Sequence, residues 1–406
     1  MRECIFTIVL LLATTISFGY SKKDVPEGWA SHGGGTTGGI GGTEVTVSNM
    51  SELQKAAGSS GKKIILVKKG EYKGKLTPKS DKSILGIEPG VKIKGQILIS
   101  GVNNVIIRNI AVQDNHCSGG CSSGTDAVYT GNGAKNIWLD HLDICDGQDG
   151  NCDVTRAADF ITITWCKFYY TYNKDHRLSN LIAGSDGETQ SIGKLNITYA
   201  YCWWGALVSS RQPRGRFGKI HVINNLYTSK VSKGACASGY LMEMLIENNV
   251  FNNKGGAIGG IGKKPNSWKT IGNIGSAPNI DSDQGSVFTP PYTLSLKMDA
   301  SEVEEKVRAG AGNTLTLGAT DVHDVNAAAI TKKQVPFLDH SINSWVLKNP
   351  DNRAYTITAV TLDGKALLPA TRIEVGGKVE IPHATSAVVI TFIGENISNI
   401  YVPTGK

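Results

Sequence analysis

Beyond its first two dozen residues the 406-residue chain has no apolar run long enough to cross a bilayer, which excludes a helical multispanning protein. Charged residues are scarce at 19% and aromatics at 7%, while 40% are hydrophobic, so the chain is no disordered polyelectrolyte and can bury one large core or two smaller ones. Glycine and proline together reach only about 15%, below low-complexity chains and without a collagen period, yet enough for many turns. No CxxC knuckle is present, which argues against a four-cysteine zinc site. The run TTGGIGG at Thr36–Gly42 lacks GK[ST] and a following helix, which argues against a phosphate cradle. Neither the LxxLxLxxN skeleton nor an alternation of strands with helix-length amphipathic stretches occurs, so leucine-rich and doubly wound α/β folds do not fit. An excess of basic over acidic residues leaves +7, which favours polyanionic partners without choosing among nucleic acid, anionic glycan and membrane surface.

What is present begins with Met1-Arg2, the apolar run Ile5–Ala13 and then small or polar residues to Ser21. Residues 1–21 read as a secretory signal, too short to span and cleaved between Gly19 and Ser21, so an extracellular protein is expected. Cys4 precedes the apolar run and is no lipoprotein acceptor. Removal of the signal leaves Cys117, Cys121, Cys145, Cys152, Cys166, Cys202 and Cys236, an odd number in an oxidising compartment. Cys117/Cys121 and Cys145/Cys152 are the expected disulfides, each closing a short loop rich in Gly, Ser or Asp.

The middle of the chain repeats a short apolar strand: NVIIRNIAV from Asn104, NIWLDHLDI from Asn136, FITITWCKF from Phe160, LNITYAYCWW from Leu195, KIHVINNLY from Lys219 and MEMLIENNVF from Met242. Aligning the polar or aromatic pairs that end them makes Asn109, His141, Cys166, Cys202, Asn225 and Asn249 equivalent, at a basic interval near 24 residues with two longer insertions. That pattern predicts an all-β solenoid, a parallel β-helix whose equivalent positions stack into buried ladders and whose insertions collect on one face. Cys166 and Cys202 are then neighbours on successive coils, as stacked thiols or as a disulfide. SELQKAA at Ser51–Ala57 reads as a helix capping the N-terminal end. Asp299 and Glu302 form a capping box before a surface helix packed on the coils. Residues 22–337 make up the solenoid, and 338–406, with alternating strands and no repeat, a small β appendage.

The insertions carry the chemistry. Asp126 lies in SSGTDAVYTG and Asp149 and Asp153 in CDGQDGNCDVTR, so oxygen ligands on adjacent coils offer a site to a hard cation such as Ca²⁺. Solvated turn aspartates are the alternative. RQPRGRFG at Arg211–Gly218 places two or three guanidiniums beside a coil edge, suited to bidentate capture of carboxylates.

RxPxxRxG at Arg211–Gly218, WLDH at Trp138–His141, HVINNLY at His221–Tyr227 and the TTGGIGG run together resemble the family-one pectate lyases over roughly residues 28–335. The resemblance implies a secreted, right-handed parallel β-helix that cleaves de-esterified polygalacturonate by Ca²⁺-dependent β-elimination. It puts Asp126, Asp149 and Asp153 at calcium-ligand positions, Arg211 at the catalytic arginine and Arg216 at a substrate-binding arginine. Gly124 stands where some members have a further aspartate. The family's substrate lysine is not cleanly matched in NKDHRLSNLIAGSDG, where Lys174 or Arg177 supplies the charge. His141 reads as a buried ladder residue. With an arginine as base the rate should peak at alkaline pH. The substrate itself is the expected partner of a monomeric enzyme, with no nucleic acid and no membrane. Three readings stay open: a pectin lyase acting on methyl-esterified chains with Trp203 and Trp204 in its groove, a non-catalytic polyuronate-binding module, and a hydrolase using paired carboxylates such as Asp149 and Asp153.

Overall fold

The structure, a computed structural model, describes residues 18–114 and 125–318, together with 337–340, 344–348, 355–361, 366–374, 378–382, 388–393 and 400–402. The residues read as the signal's apolar run, and Cys117, Cys121 and Gly124, lie outside the described residues. No helix among those described is long and apolar enough to cross a membrane.

Short strands rich in Ile, Val and Thr alternate with tight turns, and every strand from Thr43–Val47 to Ile274–Gly275 pairs in parallel with strands of neighbouring coils. Ten of them, from Thr43–Val47 to Ser267–Ile271, form one sheet. The ten-residue strand Val91–Ser100 is where two further ladders divide. Its first half pairs with Ala111–Gln113 and its second half with Val128–Gly131. The coils therefore have three faces, and the expected parallel β-helix is present. Its interior is filled by one side chain in two along each strand, as the strict burial alternation of Val91–Ser100 shows.

Ladders of identical chemistry run through this interior. Phe168, Trp204, Tyr227 and Phe251 stack with centroid separations of 5.2, 4.8 and 4.4 Å. Asn225, Asn249 and Asn273 form an amide ladder. The Nδ2 of Asn225 donates to Asn249 Oδ1 at 2.9 Å and that of Asn249 to Asn273 Oδ1 at 3.0 Å, and each also donates to a backbone carbonyl. Burial of these amides costs little because each is satisfied.

The stacking corrects the expected alignment by one residue in the first two coils. Arg108, Asp140, Thr164, Ala200, Ile223 and Glu247 are in register, so Asn109 and His141 stack with Trp165, Tyr201, Asn224 and Asn248. Cys166, Cys202, Asn225 and Asn249 continue instead from Ile110 and Leu142. The first of these columns is the corner where each coil leaves the ten-stranded sheet, and all six residues have φ between 48 and 59°. Left-handed backbone costs a non-glycine residue about 1–2 kcal/mol. Asparagine tolerates it best; the bulky members are compensated by stacking, His141 on Trp165 and Trp165 on Tyr201 at 5.6 and 4.8 Å.

Cys166 and Cys202 are adjacent, buried, free thiols whose Sγ atoms face the carbonyls of Leu139 and Ile163. The expected Cys145–Cys152 disulfide does not form. Ile144 and Cys152 point into the core, so Cys145, the residue after Ile144, faces the other side of the coil wall.

Both predicted helices are present. α1, Met50–Ala57, is capped by Asn49 and buries Leu53, Ala56 and Ala57 over the first coils. α2, Ala300–Gly310, opens with the Asp299/Glu302 capping box and packs Val303 and Val307 among Ala200, Ile223, Leu226 and Val250 on the outside. The glycine run packs on the ten-stranded sheet, where Thr37 and Gly38 donate to Asn104 Oδ1 and Gly39 to Ser83 Oγ.

The compact unit just described is Tyr20–Gly318. The described strands beyond it belong to a second unit of two antiparallel sheets. One orders Phe337–His340, Ser344–Lys348 and Lys378–Pro382, and the other Ala366–Ile373, Tyr355–Thr361, Val388–Ile393 and Ile400–Val402.

Candidate active site

The three aspartates meet on the outer face of the ladder formed by Val128–Gly131, Cys152–Val154, Leu181–Ile182 and Arg214–Gly215. Asp153, in the middle of its strand, pairs in register with Tyr129 and points outward because Cys152 and Val154 fill the core. Asp126 lies just before the neighbouring strand. Asp149 is brought over it by a turn whose N–H donates to Thr125 O. One carboxylate oxygen from each lies within 4.8 Å of the others.

Gly150 makes this convergence possible. A Cβ there would sit 2.6 Å from Asp153 Oδ1 and 2.9 Å from Asp126 Oδ1, so any other residue would fill the space between the carboxylates. Asp126 Oδ1 is buried and accepts no hydrogen bond. Burial, then the charges of Asp153 and Asp149, push the Asp126 carboxyl up to about 9. Burial pushes Asp153 up as well, against the Leu181 N–H, 2.8 Å from its Oδ1, and Arg211. An orphaned buried oxygen, a cradle without side chains and an all-oxygen donor set fit a hard divalent cation, whose charge would remove the cost of ionising all three.

Arg211 stands beside this cluster, its Nη1 3.8 Å from Asp153 Oδ2. That nitrogen is buried and donates no hydrogen bond. Arg211 has φ 61°, a left-handed conformation costly for arginine. Arg216 does reach the same face, but its Nε is held by Asp186 Oδ1 at 2.5 Å, and this guanidinium keeps the Asp186 carboxyl below its usual range.

Lys174 and Arg177 have different surroundings. The ammonium of Lys174 donates to the carbonyls of Gly147 and Gln148, bracing the turn that carries Asp149, and lies over the Tyr170 ring at 5.0 Å. Arg177 is anchored by its carbonyl to Ser209, two residues before Arg211, and its Nε is buried without a partner.

Two neighbours of the cluster escaped the sequence reading. His176 Nε2 lies 2.6 Å from Asp149 Oδ1. Asp186 pairs with Arg216. Both were signalled by nothing local. Arg214, the third guanidinium that RQPRGRFG displayed, lies in register with Leu181, in the same column as Asp153, and its Nε is buried and unpartnered. Burial, then the charges of Arg216 and Arg211, lower the pKa of Arg214.

The WLDH motif is not part of the site. Asp140 and His141 lie on the ten-stranded sheet, where the buried Asp140 carboxylate takes Arg108 Nε at 2.5 Å and His141 Nδ1 at 2.7 Å. Burial alone would raise Asp140; His141 and Arg108 overrule it and hold the carboxyl at about 2. Trp204 is enclosed in the core stack, and Trp203 packs under Lys167 and Arg308 on a different ladder from the aspartates.

A family model described as pectate lyase matches residues 5–314. Pectate lyase plyB of Emericella nidulans is 32% identical over 311 residues, 73% of this chain and 90% of the relative. Pectate lyase B of Colletotrichum gloeosporioides is 32% identical over 299 residues, 70% and 85% of the two chains. Among solved structures, a pectate lyase from Bacillus sp. N165 in complex with trigalacturonate superposes with a TM-score of 0.61 at 24% identity, covering 71% of this chain and 99% of its own. A pectate lyase bound to hexasaccharide does so with 0.60 at 21%, covering 75% and 100%. These likenesses in structure bear on the fold, which they share. With a parallel β-helix, the arginine motif in place and a match across three quarters of its length, this chain belongs to the pectate lyase family.

Proposed function

We propose that the protein is a secreted, calcium-dependent pectate lyase that opens α-1,4-polygalacturonate by β-elimination. The observation that carries this reading is the group of three carboxylates around Gly150, immediately beside the unpartnered Nη1 of Arg211. In the reaction the C5 proton leaves, its electron pair forms the C4=C5 double bond, and the C4–O bond breaks to give the leaving sugar hydroxyl after protonation.

Asp126, Asp149 and Asp153 would hold Ca²⁺, which when bound supplies a Lewis-acid contact that makes the proton beside a uronate carboxylate more acidic. Arg211, in its neutral deprotonated form, takes that proton at a nitrogen that no hydrogen bond occupies, which is why the rate should rise toward alkaline pH. Arg214, Arg216 and Arg177 offer guanidiniums to the flanking uronates. Lys174 acts on the site through the turn it braces. Residues 1–21 serve as the export signal.

Specific observations weigh against the other readings. The three carboxylates converge on one point rather than standing apart across a glycosidic bond as a glycosidase's acid and base do, so a hydrolase fits poorly. A pectin lyase would need aromatics in the groove, and Trp203 and Trp204 are elsewhere. A binding module has no use for an acidic cluster against its anionic ligand.

Incubation of the protein with polygalacturonate and, separately, with highly methyl-esterified pectin tests the proposal. Unsaturated, ultraviolet-absorbing product is expected from the first and far less from the second. Saturated reducing ends would indicate a hydrolase, retention without product a binding module, and preference for the ester a pectin lyase.

A further inference from the structure

A cleft of about 610 Å³ opens on the same outer surface, lined by Lys73, Lys75, Lys94, Gln96, Asp114 and Gln148 with the backbone of Gly74 and Gly95. Lys73 and Lys94 are directly opposite in register on adjacent strands, with Lys75 opposite Gln96. Like charges so placed repel. Their neighbours do little to offset it. Lys73 reaches Glu71 only at 3.5 Å with both side chains largely in solvent, and among the described residues Lys75 and Lys94 enter no ion pair. The one acid, Asp114, is buried and taken by the Gln148 N–H at 3.2 Å. Lysines on an edge strand can serve to block edge pairing, but Lys94 is on the strand that divides the two ladders, where no edge exists.

The cleft lies beside the active site. Ile97 pairs with Val128, and two residues before this pair stand Gly95 and Asp126. A Cβ on Gly95 would come 2.1 Å from Gly74 O, so the two strands approach closely between the Lys73/Lys94 and Lys75/Gln96 pairs. On the far wall Gln148 directly precedes Asp149. With successive coils about 4.8 Å apart, the lysines lie about two to three coils from Asp153.

We infer that Lys73, Lys75 and Lys94 form a remote subsite that binds uronate carboxylates of a polygalacturonate chain already engaged at Arg211. The inference rests on the proposed function above. It makes the enzyme selective for longer substrates: a chain that reaches from the aspartates to the lysines gains binding that a disaccharide, whose two carboxylates are about one coil spacing apart, does not.

The test is the triple variant Lys73→Gln/Lys75→Gln/Lys94→Gln, compared with an equal change of charge at the exposed Lys55→Gln/Lys62→Gln/Lys269→Gln. The cleft variant should raise KM for polygalacturonate about tenfold, leave kcat and the kinetics on digalacturonate unchanged, and keep its melting temperature. The control should change none of these. Equal KM values for wild type and cleft variant on the polymer would overturn the subsite, as would equal losses on polymer and disaccharide. Migration through a gel containing polygalacturonate reads binding without turnover: the wild type should be retarded more than the cleft variant, and equal retardation would also overturn the subsite. If the wild type yields no unsaturated product while that retardation difference persists, the lyase reading has failed and the cleft has not.

Discussion

Arg211 unites a motif legible in the sequence with a geometry that is not. RxPxxRxG names the residue; only the fold reveals that its Nη1 is buried without an acceptor, 3.8 Å from Asp153. Arg211→Lys keeps the charge and alters the geometry and proton affinity. We expect kcat on polygalacturonate to fall by about three orders of magnitude or more with KM within about tenfold, the pattern of an interaction made only in the transition state. A raised KM with kcat intact would make Arg211 a carboxylate clamp and move the base elsewhere. The convergence of the three aspartates was legible as well, since carboxylates are favoured ligands of a hard cation and the inserted turns displayed them. Their supports were not. His176 meets Asp149 across 27 residues and Asp186 meets Arg216 across 30, distances closed only by the register of successive coils. Lys174 was singled out for its charge, and that charge is spent on two carbonyls of the Asp149 turn.

Among the elements, the strand repeat emerged from the sequence and its phase did not. Asparagine serves two adjacent columns for two reasons: Asn109 because amide side chains tolerate left-handed corners, Asn225 because amides stack head to tail inside the coil. Composition cannot distinguish them, so Asn109 was aligned with the wrong column. The cysteine loop failed for a related reason, as a seven-residue spacing says nothing of which side of the wall each thiol faces. The ladder makes a quantitative prediction. Asn249→Leu removes the acceptor of both the Asn225 N–H and its Nδ2, and the donor to Val222 O, all at full burial. Denaturant unfolding should show a loss of about 3 kcal/mol or more. A cost below 1 kcal/mol would mean that the ladder contributes little beyond filling space.

At the scale of the molecule, three faces have three tasks. The ten-stranded sheet is covered by the glycine-rich segment and holds the buried Arg108–Asp140–His141 cluster, a second face carries α2, and the third bears the aspartates, the arginines and the lysine cleft. The solenoid was readable because each coil repeats its neighbour's needs; the site was readable only where insertions broke that repeat. The claim on which the rest depends is that this open face performs elimination through a cation held by Asp126, Asp149 and Asp153. The most direct measurement is the initial rate at which unsaturated product forms from polygalacturonate, first with the protein stripped by chelator and then with calcium restored. We expect no rate above background in the first state and recovery in the second; product forming undiminished after exhaustive chelation would contradict the assignment of the three aspartates.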